Sequence, residues 1–178
     1  MSYPLLTQRL SIEPLVANDL SAFVTYRQDP DVARYQSWDT SNSEDQALDL
    51  IESQVNVLLP EHGDWLQLAI HNRESDELLG DLAMNSLEVA KFSYEIGFTL
   101  SKSNQGKGIA KEAVGCLIEY LFQEIGAKVL IATCDRRNSS AIKLLLSLGF
   151  EQRLEKSWVE NFKSELVDVE YFEMTSIL

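Results

Sequence analysis

The sequence predicts an α+β domain built on a mixed, mostly antiparallel central sheet of about seven strands flanked by about four helices. Three observations carry that expectation. The chain has 178 residues, 45% of them hydrophobic and 24% charged, enough to bury one substantial core without metal or disulfide staples. Several short segments alternate apolar and polar side chains with a period of two, and turn residues separate them. From Gly108 the period switches to that of a helix, and a nearly continuous apolar strand follows.

Leu10-Ser11-Ile12-Glu13-Pro14-Leu15 alternates until Pro14 removes a donor, which reads as a first strand. A helix then carries Leu20, Phe23, Val24 and Tyr26 on one face, with Asn18 or Asp19 as its cap and Asp29-Pro30 as its stop. Arg34 to Asn42, which includes Tyr35 and Trp38, is aperiodic and reads as loop. Ser43 with Gln46 has the form of a capping box, and Ala47, Ile51, Val55 and Leu58 recur at helical spacing up to Pro60.

Trp65 to Ile70 and Leu78 to Met84 flank a polar stretch and form an antiparallel hairpin. Phe92 to Leu100 alternates again, and its Gly97 suggests a bulge. Ile109, Ala113, Leu117, Tyr120 and Leu121 then mark the buried stripe of a long helix that Gly126 closes. Val129 to Cys134 reads as a strand covered on both faces, and Asn138 starts a shorter helix closed by Gly149. Two last strands, Phe150 to Val159 and Glu165 to Met174, form a hairpin joined near Asn161-Phe162-Lys163. No repeat or linker divides residues 1–178, which are read as a single domain.

The formal charge is −13, yet residues 1–100 hold 17 acids and 5 bases while residues 101–178 hold 11 acids and 10 bases. A net-acidic chain repels a phosphate backbone, so nucleic acid is not expected as a partner. No apolar run approaches a membrane span and the polar start lacks a signal sequence, so the expected location is the cytoplasm. Cys116, Cys134, His62 and His71 have no metal-ligand spacing, and both thiols read as packing residues.

The most informative segment is Ser103-Asn104-Gln105-Gly106-Lys107-Gly108-Ile109-Ala110, at the start of the long helix. Unpaired N–H groups and the helix dipole make such an end attractive to anions. Gly106 and Gly108 allow close approach to the main chain, and Lys107 and Lys111 add positive charge. Neither the dinucleotide fingerprint nor the P-loop fits this run.

Gln105-x-x-Gly108-x-Ala110 matches the Q/R-x-x-G-x-G/A signature, and the chain resembles the GNAT superfamily of acetyl-CoA-dependent N-acetyltransferases. The resemblance extends through Tyr94-Glu95-Ile96-Gly97-Phe98, Ala132-Thr133-Cys134-Asp135 and Asn138 to Leu148-Gly149-Phe150, and within the superfamily is greatest to the Rim-type ribosomal-protein N-acetyltransferases. It implies that backbone amides from Gln105 through Gly106, Lys107, Gly108 and Ile109 to Ala110 hold the coenzyme A pyrophosphate. It also implies a V-shaped splay between the fourth and fifth expected strands, Tyr94 to Leu100 and Val129 to Cys134, which admits the pantetheine arm. A main-chain N–H near Phe98 or Thr99 would polarise the thioester carbonyl. Asn138 would bond the pantetheine region, cap its helix, or do both.

Acetyl transfer needs an uncharged amine and a proton for the departing thiolate. Glu95 is the expected base, provided that strand alternation turns it toward the cleft. The tyrosine that many GNAT enzymes place seven residues after the Asn is Leu145 in this chain. Ser140 is ranked as the acid, with Ser139, Cys134, Tyr94, Tyr120 and solvent as alternatives. Tyr35, Trp38, Trp65, Trp158 and Phe162 are candidate walls of an acceptor site.

The resemblance and the acidic first half together imply acetyl transfer to a primary amine on a cationic acceptor: a protein N-terminal α-amine first, a polyamine or aminoglycoside second. A non-catalytic acyl-CoA-binding protein is the competing class, favoured by the missing tyrosine. Exposed sheet edges and the final hairpin are compatible with a homodimer.

Overall fold

A computed structural model describes residues 3–41, 43–87 and 92–176; Asn42, in the expected loop, lies outside them. Its elements in chain order are β1 (Leu5–Leu6), β2 (Leu10–Pro14), α1 (Leu20–Arg27), α2 (Pro30–Ala33), α3 (Glu44–Ser53), β3 (Trp65–Asn72), β4 (Leu78–Ser86), β5 (Ser93–Leu100), α4 (Ile109–Tyr120), β6 (Val129–Asp135), α5 (Ser139–Leu148), β7 (Glu151–Gln152), β8 (Trp158–Phe162) and β9 (Glu165–Thr175). The strands form one sheet in the order β1-β2-β3-β4-β5-β6-β9-β7, with β8 also on β9. Among these ladders only β5 with β6 is parallel.

Strand alternation sorts side chains to two faces. Leu66, Leu68, Ile70, Leu82, Met84, Tyr94 and Ile96 point to one face, where Ile109, Ala113, Val114, Leu117 and Leu121 of α4 and the turn after it cover them. Ala69 faces the other way, into a second core with Phe23, Val24 and Tyr26 of α1, Val32 and Ala33 of α2, and Ala47 and Ile51 of α3. The sheet is therefore the middle of three layers.

β5 and β6 pair only over Ser93↔Val129, Tyr94↔Leu130 and Glu95↔Ile131, and then part. Each finds its remaining partners on its outer side: β4 stays paired with β5 to Leu100, and β9 stays paired with β6 to Asp135. A wedge opens in the middle of the sheet as a result.

Several details differ from the sequence reading. Gly97 makes no bulge, since β4 and β5 run in unbroken register from Gly80↔Leu100 to Ser86↔Tyr94; the register shift falls at Ile70/His71. The capping box at Ser43 and Gln46 is present, but α3 stops at Ser53 rather than running to Pro60. Gln54 leaves the helix to bond the main chain and side chain of β3 at Trp65 and Gln67, and Asn56 takes a positive φ of 66°. Val55 and Leu58 are exposed.

Asp19 does not cap α1. Its carboxylate accepts from the Val16 amide and from His71, so it fastens the turn before α1 to the sheet. Asp29-Pro30 ends α1 but also begins α2, where Asp29 caps the Asp31 amide. The expected strand from Phe150 to Val159 is broken into β7, a helical turn at Leu154–Lys156, and β8. The turn of the last hairpin is Lys163-Ser164, both left-handed at φ 50° and 66°, one residue beyond its expected centre.

Candidate active site

Two cavities meet at the wedge. The first, about 600 Å³, lies between the end of β5, the start of α4 and one side of α5. The loop before α4 shapes its floor. Gly106 and Gly108 sit at φ 72° and 76°, a region that suits glycine, and a Cβ on Gly106 would meet nothing within 4 Å. Among the described residues, no amide from Gly106 to Lys111 donates to another segment. The first-turn donors of α4 therefore face the cavity unspent. Lys111 and Lys143 add positive charge to the lining.

Of the residues expected to hold a cofactor, Phe98, Gln105, Gly106, Gly108, Ile109, Ala110 and Asn138 line this cavity. Lys107 is not part of the lining. Its carbonyl accepts from the Arg9 guanidinium at 3.1 Å and its ammonium bonds Asn104 at 3.4 Å, and Arg9 in turn pairs with Glu112. Asn138 caps α5 through the Ala141 amide at 3.2 Å while its residue faces the cavity, so its two expected roles are geometrically compatible. The Gln105 side chain donates to the Leu100 carbonyl and ties the loop to the end of β5.

The second cavity, about 470 Å³, lies on the α1–α3 side of the sheet, roofed by the loop after α2 and walled by the β8–β9 hairpin. Trp38, Trp65 and Phe162 line it, together with Asp81, Glu95, Asp135 and Glu160. Trp158 does not line it; its indole N–H donates to Glu160. Asp81 is fully buried, accepting from Tyr26 at 2.5 Å and pairing with Arg27 at 3.4 Å. The Arg27 guanidinium is sandwiched between the Phe23 and Trp38 rings at 4.0 and 3.9 Å. Asp135 is held by Arg137 at 2.6 Å, which keeps its carboxyl below the ordinary range.

Alternation turns Glu95 into this cavity with Gly97 and Thr99, and its cross-strand partners there include Ala83 for Gly97 and Asp81 for Thr99. Thr133 of β6 donates its hydroxyl to Glu95 Oε1 at 3.0 Å. Burial raises the pKa of Glu95, and the Thr133 hydrogen bond, by favouring the charged form, pulls it partly back.

The expected proton donors are scattered. Ser140 is exposed and lines the first cavity alone. Cys134 lines the second alone, and burial pushes its thiol up to about 12. Tyr94 and Tyr120 belong to the core on the α4 side, and Leu145 is 1% exposed within that same core. The residues shared by both cavities are Tyr35, Gln36, Phe98 and Thr99. The sequence marked Tyr35 as an aromatic in an aperiodic loop and a candidate wall of the acceptor site, and it does line the second cavity; its place in the first as well was not legible there.

Residues 9–151 match the family described as Acetyltransferase (GNAT) domain. The N-acetyltransferase p20 of Bacillus licheniformis is 32% identical over 170 residues, which is 96% of this chain and 94% of that protein. The ribosomal-protein-serine acetyltransferase of Escherichia coli is 31% identical over 97 residues, covering 54% of this chain and 53% of its own length. A crystal structure of spermidine N-acetyltransferase from Vibrio cholerae, in complex with CoA and spermine, shares the fold: the TM-score is 0.81 at 17% identity, over 95% of this chain and 96% of that one. A sheet parted at the same strands that the signature at Gln105 to Ala110 adjoins, and a family match over most of the length, make this chain a member of the GNAT acetyltransferase family.

Proposed function

We propose that the protein transfers an acetyl group from acetyl-CoA to a primary amine on a cationic acceptor, a protein N-terminal α-amine first and a polyamine second. The observation that carries this reading is the meeting of two cavities of opposite character at Phe98 and Thr99, on the strand edge freed by the splay.

The first cavity fits the diphosphate and pantetheine of acetyl-CoA. Left-handed Gly106 leaves open space where a side chain would stand, and among the described residues the amides from Gly106 to Lys111 bond no other segment. Lys107 does not line this cavity, and its carbonyl and ammonium are engaged by Arg9 and Asn104. When bound, acetyl-CoA supplies an acetyl group activated as a thioester. A main-chain N–H at Phe98 or Thr99 stabilises the carbonyl oxygen as it gains charge, a donor already fixed by the β4–β5 ladder and needing no reorganisation.

The second cavity fits a cationic amine. Asp81 and Asp135 are neutralised by Arg27 and Arg137, which leaves Glu95 and Glu160 to attract the ammonium. Glu95 takes its proton. Its raised pKa moves it toward neutrality, where a base both accepts and releases protons efficiently. The relative named a ribosomal-protein-serine acetyltransferase supports a protein as acceptor, and the fold neighbour named a spermidine N-acetyltransferase supports a polyamine.

The test is thiol release from acetyl-CoA with a panel of basic peptides bearing free N-termini, the same peptides blocked at the N-terminus, and polyamines. Turnover with the free peptides and not the blocked ones is the expected result. Stabilisation of the fold by acetyl-CoA without transfer to any amine would overturn the proposal.

A further inference from the structure

We propose that Tyr35 is the catalytic acid that protonates the departing thiolate. The inference rests on the transfer reading above and identifies a residue which that reading leaves open.

The thioester sulfur and the attacking nitrogen are both bonded to one carbon at the moment of transfer, so the sulfur departs where the two cavities meet. Among the described residues, four line both: Tyr35, Gln36, Phe98 and Thr99. Phe98 has no acidic hydrogen, and the Gln36 amide and Thr99 hydroxyl are far too weakly acidic to respond near neutral pH. Thr99 is moreover 5% exposed, its place fixed in the sheet. A tyrosine phenol, with an ordinary pKa of about 10 against about 8.5 for a thiol, is the one acid of this junction whose strength suits the leaving group. The family's usual tyrosine position is closed to this role, because Leu145 packs in the core and lines neither cavity.

The segment holding Tyr35 is built to stay in place. Asp29 caps α2, which ends at Ala33, just before the tyrosine. An ion pair between Lys102 and Asp31 joins α2 to the turn leading toward α4. From the opposite side, Lys163 at the tip of the β8–β9 hairpin donates to the carbonyls of Ala33 and Trp38 at 2.8 and 2.7 Å, bracketing Tyr35. Among the described residues, the tyrosine hydroxyl makes a single long bond, 3.5 Å, to the Arg137 carbonyl next to Asn138. Its proton is thus held loosely and can be redirected. The Arg34 guanidinium lies 5.5 Å from the ring centroid.

The amine nitrogen, already relieved of one proton by Glu95, forms the C–N bond; the C–S bond breaks and its electron pair stays on sulfur. The phenol O–H proton passes to that sulfur to give the free thiol. The phenolate then takes up the proton that the new amide nitrogen sheds, directly or through water. One proton per turnover reaches solvent through Glu95.

The experiment compares the wild-type chain with Tyr35→Phe and with 3-fluorotyrosine, a more acidic phenol, incorporated at position 35. For Tyr35→Phe we expect kcat to fall by about 100-fold or more, while the rise in melting temperature on adding acetyl-CoA stays at the wild-type value. For the fluorotyrosine chain, the alkaline limb of kcat moves to lower pH, a change that a packing role for the ring would not produce. A kcat for Tyr35→Phe within about threefold of wild type, or an alkaline limb that the fluorotyrosine leaves in place, overturns the assignment while leaving the transfer reading intact. A loss of kcat accompanied by loss of the acetyl-CoA-induced stabilisation also overturns it, since Tyr35 would then be a binding residue. A wild-type chain that is stabilised by acetyl-CoA yet acetylates no amine overturns both proposals together.

Discussion

Thr133 Oγ1 lies 3.0 Å from Glu95 Oε1, a hydrogen bond thrown across the wedge just beyond the last parallel pair of β5 and β6, Glu95↔Ile131. It joins two strands at the point where their main chains separate. It also opposes the effect of burial on Glu95, because a hydroxyl donor stabilises the carboxylate and not the acid.

Replacing Thr133 with Val removes that donor while keeping the shape of the side chain, so the pKa of Glu95 climbs further. The acid limb of the kcat/KM profile, set by the free enzyme's base, therefore moves to higher pH, with little change on the plateau. Glu95→Gln lowers the plateau itself by about 100-fold or more. Profiles of both variants with a basic peptide acceptor check this. An acid limb left in place by Thr133→Val, or a plateau within threefold of wild type for Glu95→Gln, would remove Glu95 from the mechanism.

Gly80 faces the end of β5 at very short range. A Cβ there would stand 2.1 Å from the Thr99 carbonyl oxygen and 2.8 Å from Leu100 Cα, both main-chain atoms that cannot swing aside. Gly80→Ala must therefore push the end of β5 away from β4, at a cost of about 1–3 kcal/mol. Because Thr99 lines both cavities, kcat should fall along with the midpoint of urea unfolding. A variant that loses neither stability nor activity would show that the strands tolerate the added methyl by a route not present in this geometry.

Asp81 anchors a buried group of charges: Tyr26 donates to one oxygen, Arg27 pairs with the other, and Arg27 is stacked between Phe23 and Trp38. Asp81→Asn leaves the guanidinium buried without its counter-charge, and the expected loss is about 3–5 kcal/mol. Denaturant unfolding measures it. Arg27→Met with Asp81→Asn together should recover much of the loss, since the unpaired charge is then gone. Equal destabilisation in the double variant would mean that packing around the pair, rather than charge, sets the cost.

His71 links pH to stability. Its Nε2 lies 2.8 Å from Asp19, and Glu13 is 3.4 Å from Nδ1. The Asp19 hydrogen bond raises the pKa above its ordinary value of 6.5, against the opposing effect of burial. The folded state thus binds a proton that the unfolded chain releases near pH 6.5. The resulting stabilisation is fully present below that pH and is lost as pH rises through the higher folded-state value. Melting temperature should fall through this window in the wild type and fall less steeply in His71→Gln, so that the two curves converge at alkaline pH. Parallel curves would mean that His71 stays neutral in the fold.

Much of the architecture was written in side-chain periodicity, because the period of an element depends on neighbours along the chain. The alternation from Ser93 to Leu100, the helical stripe from Ile109 to Leu121 and the apolar run from Val129 all name their elements and buried faces. Local chemistry was equally legible where one residue acts on its own turn, as at Ser43, Gly126 and Asn138. The reading failed where a distant partner overrode a local preference. Gln54 gave up α3 for bonds to β3, and Asp19 gave up a capping role for His71.

The glycines and the signature from Gln105 to Ala110 marked the donor side of the site, since an anion cradle at a helix start is made of consecutive residues. The junction could not be read that way. Whether Glu95 faces the cleft depends on which side of β5 the α1–α3 layer covers, and Tyr35 reaches the same point only because Lys163, well over a hundred residues later, grips the chain on either side of it. Periodicity and capping act between residues a few positions apart and survive in the linear order; the place where sulfur, nitrogen and proton meet is made by strands parting and loops closing across the whole chain, and exists only once the fold has formed.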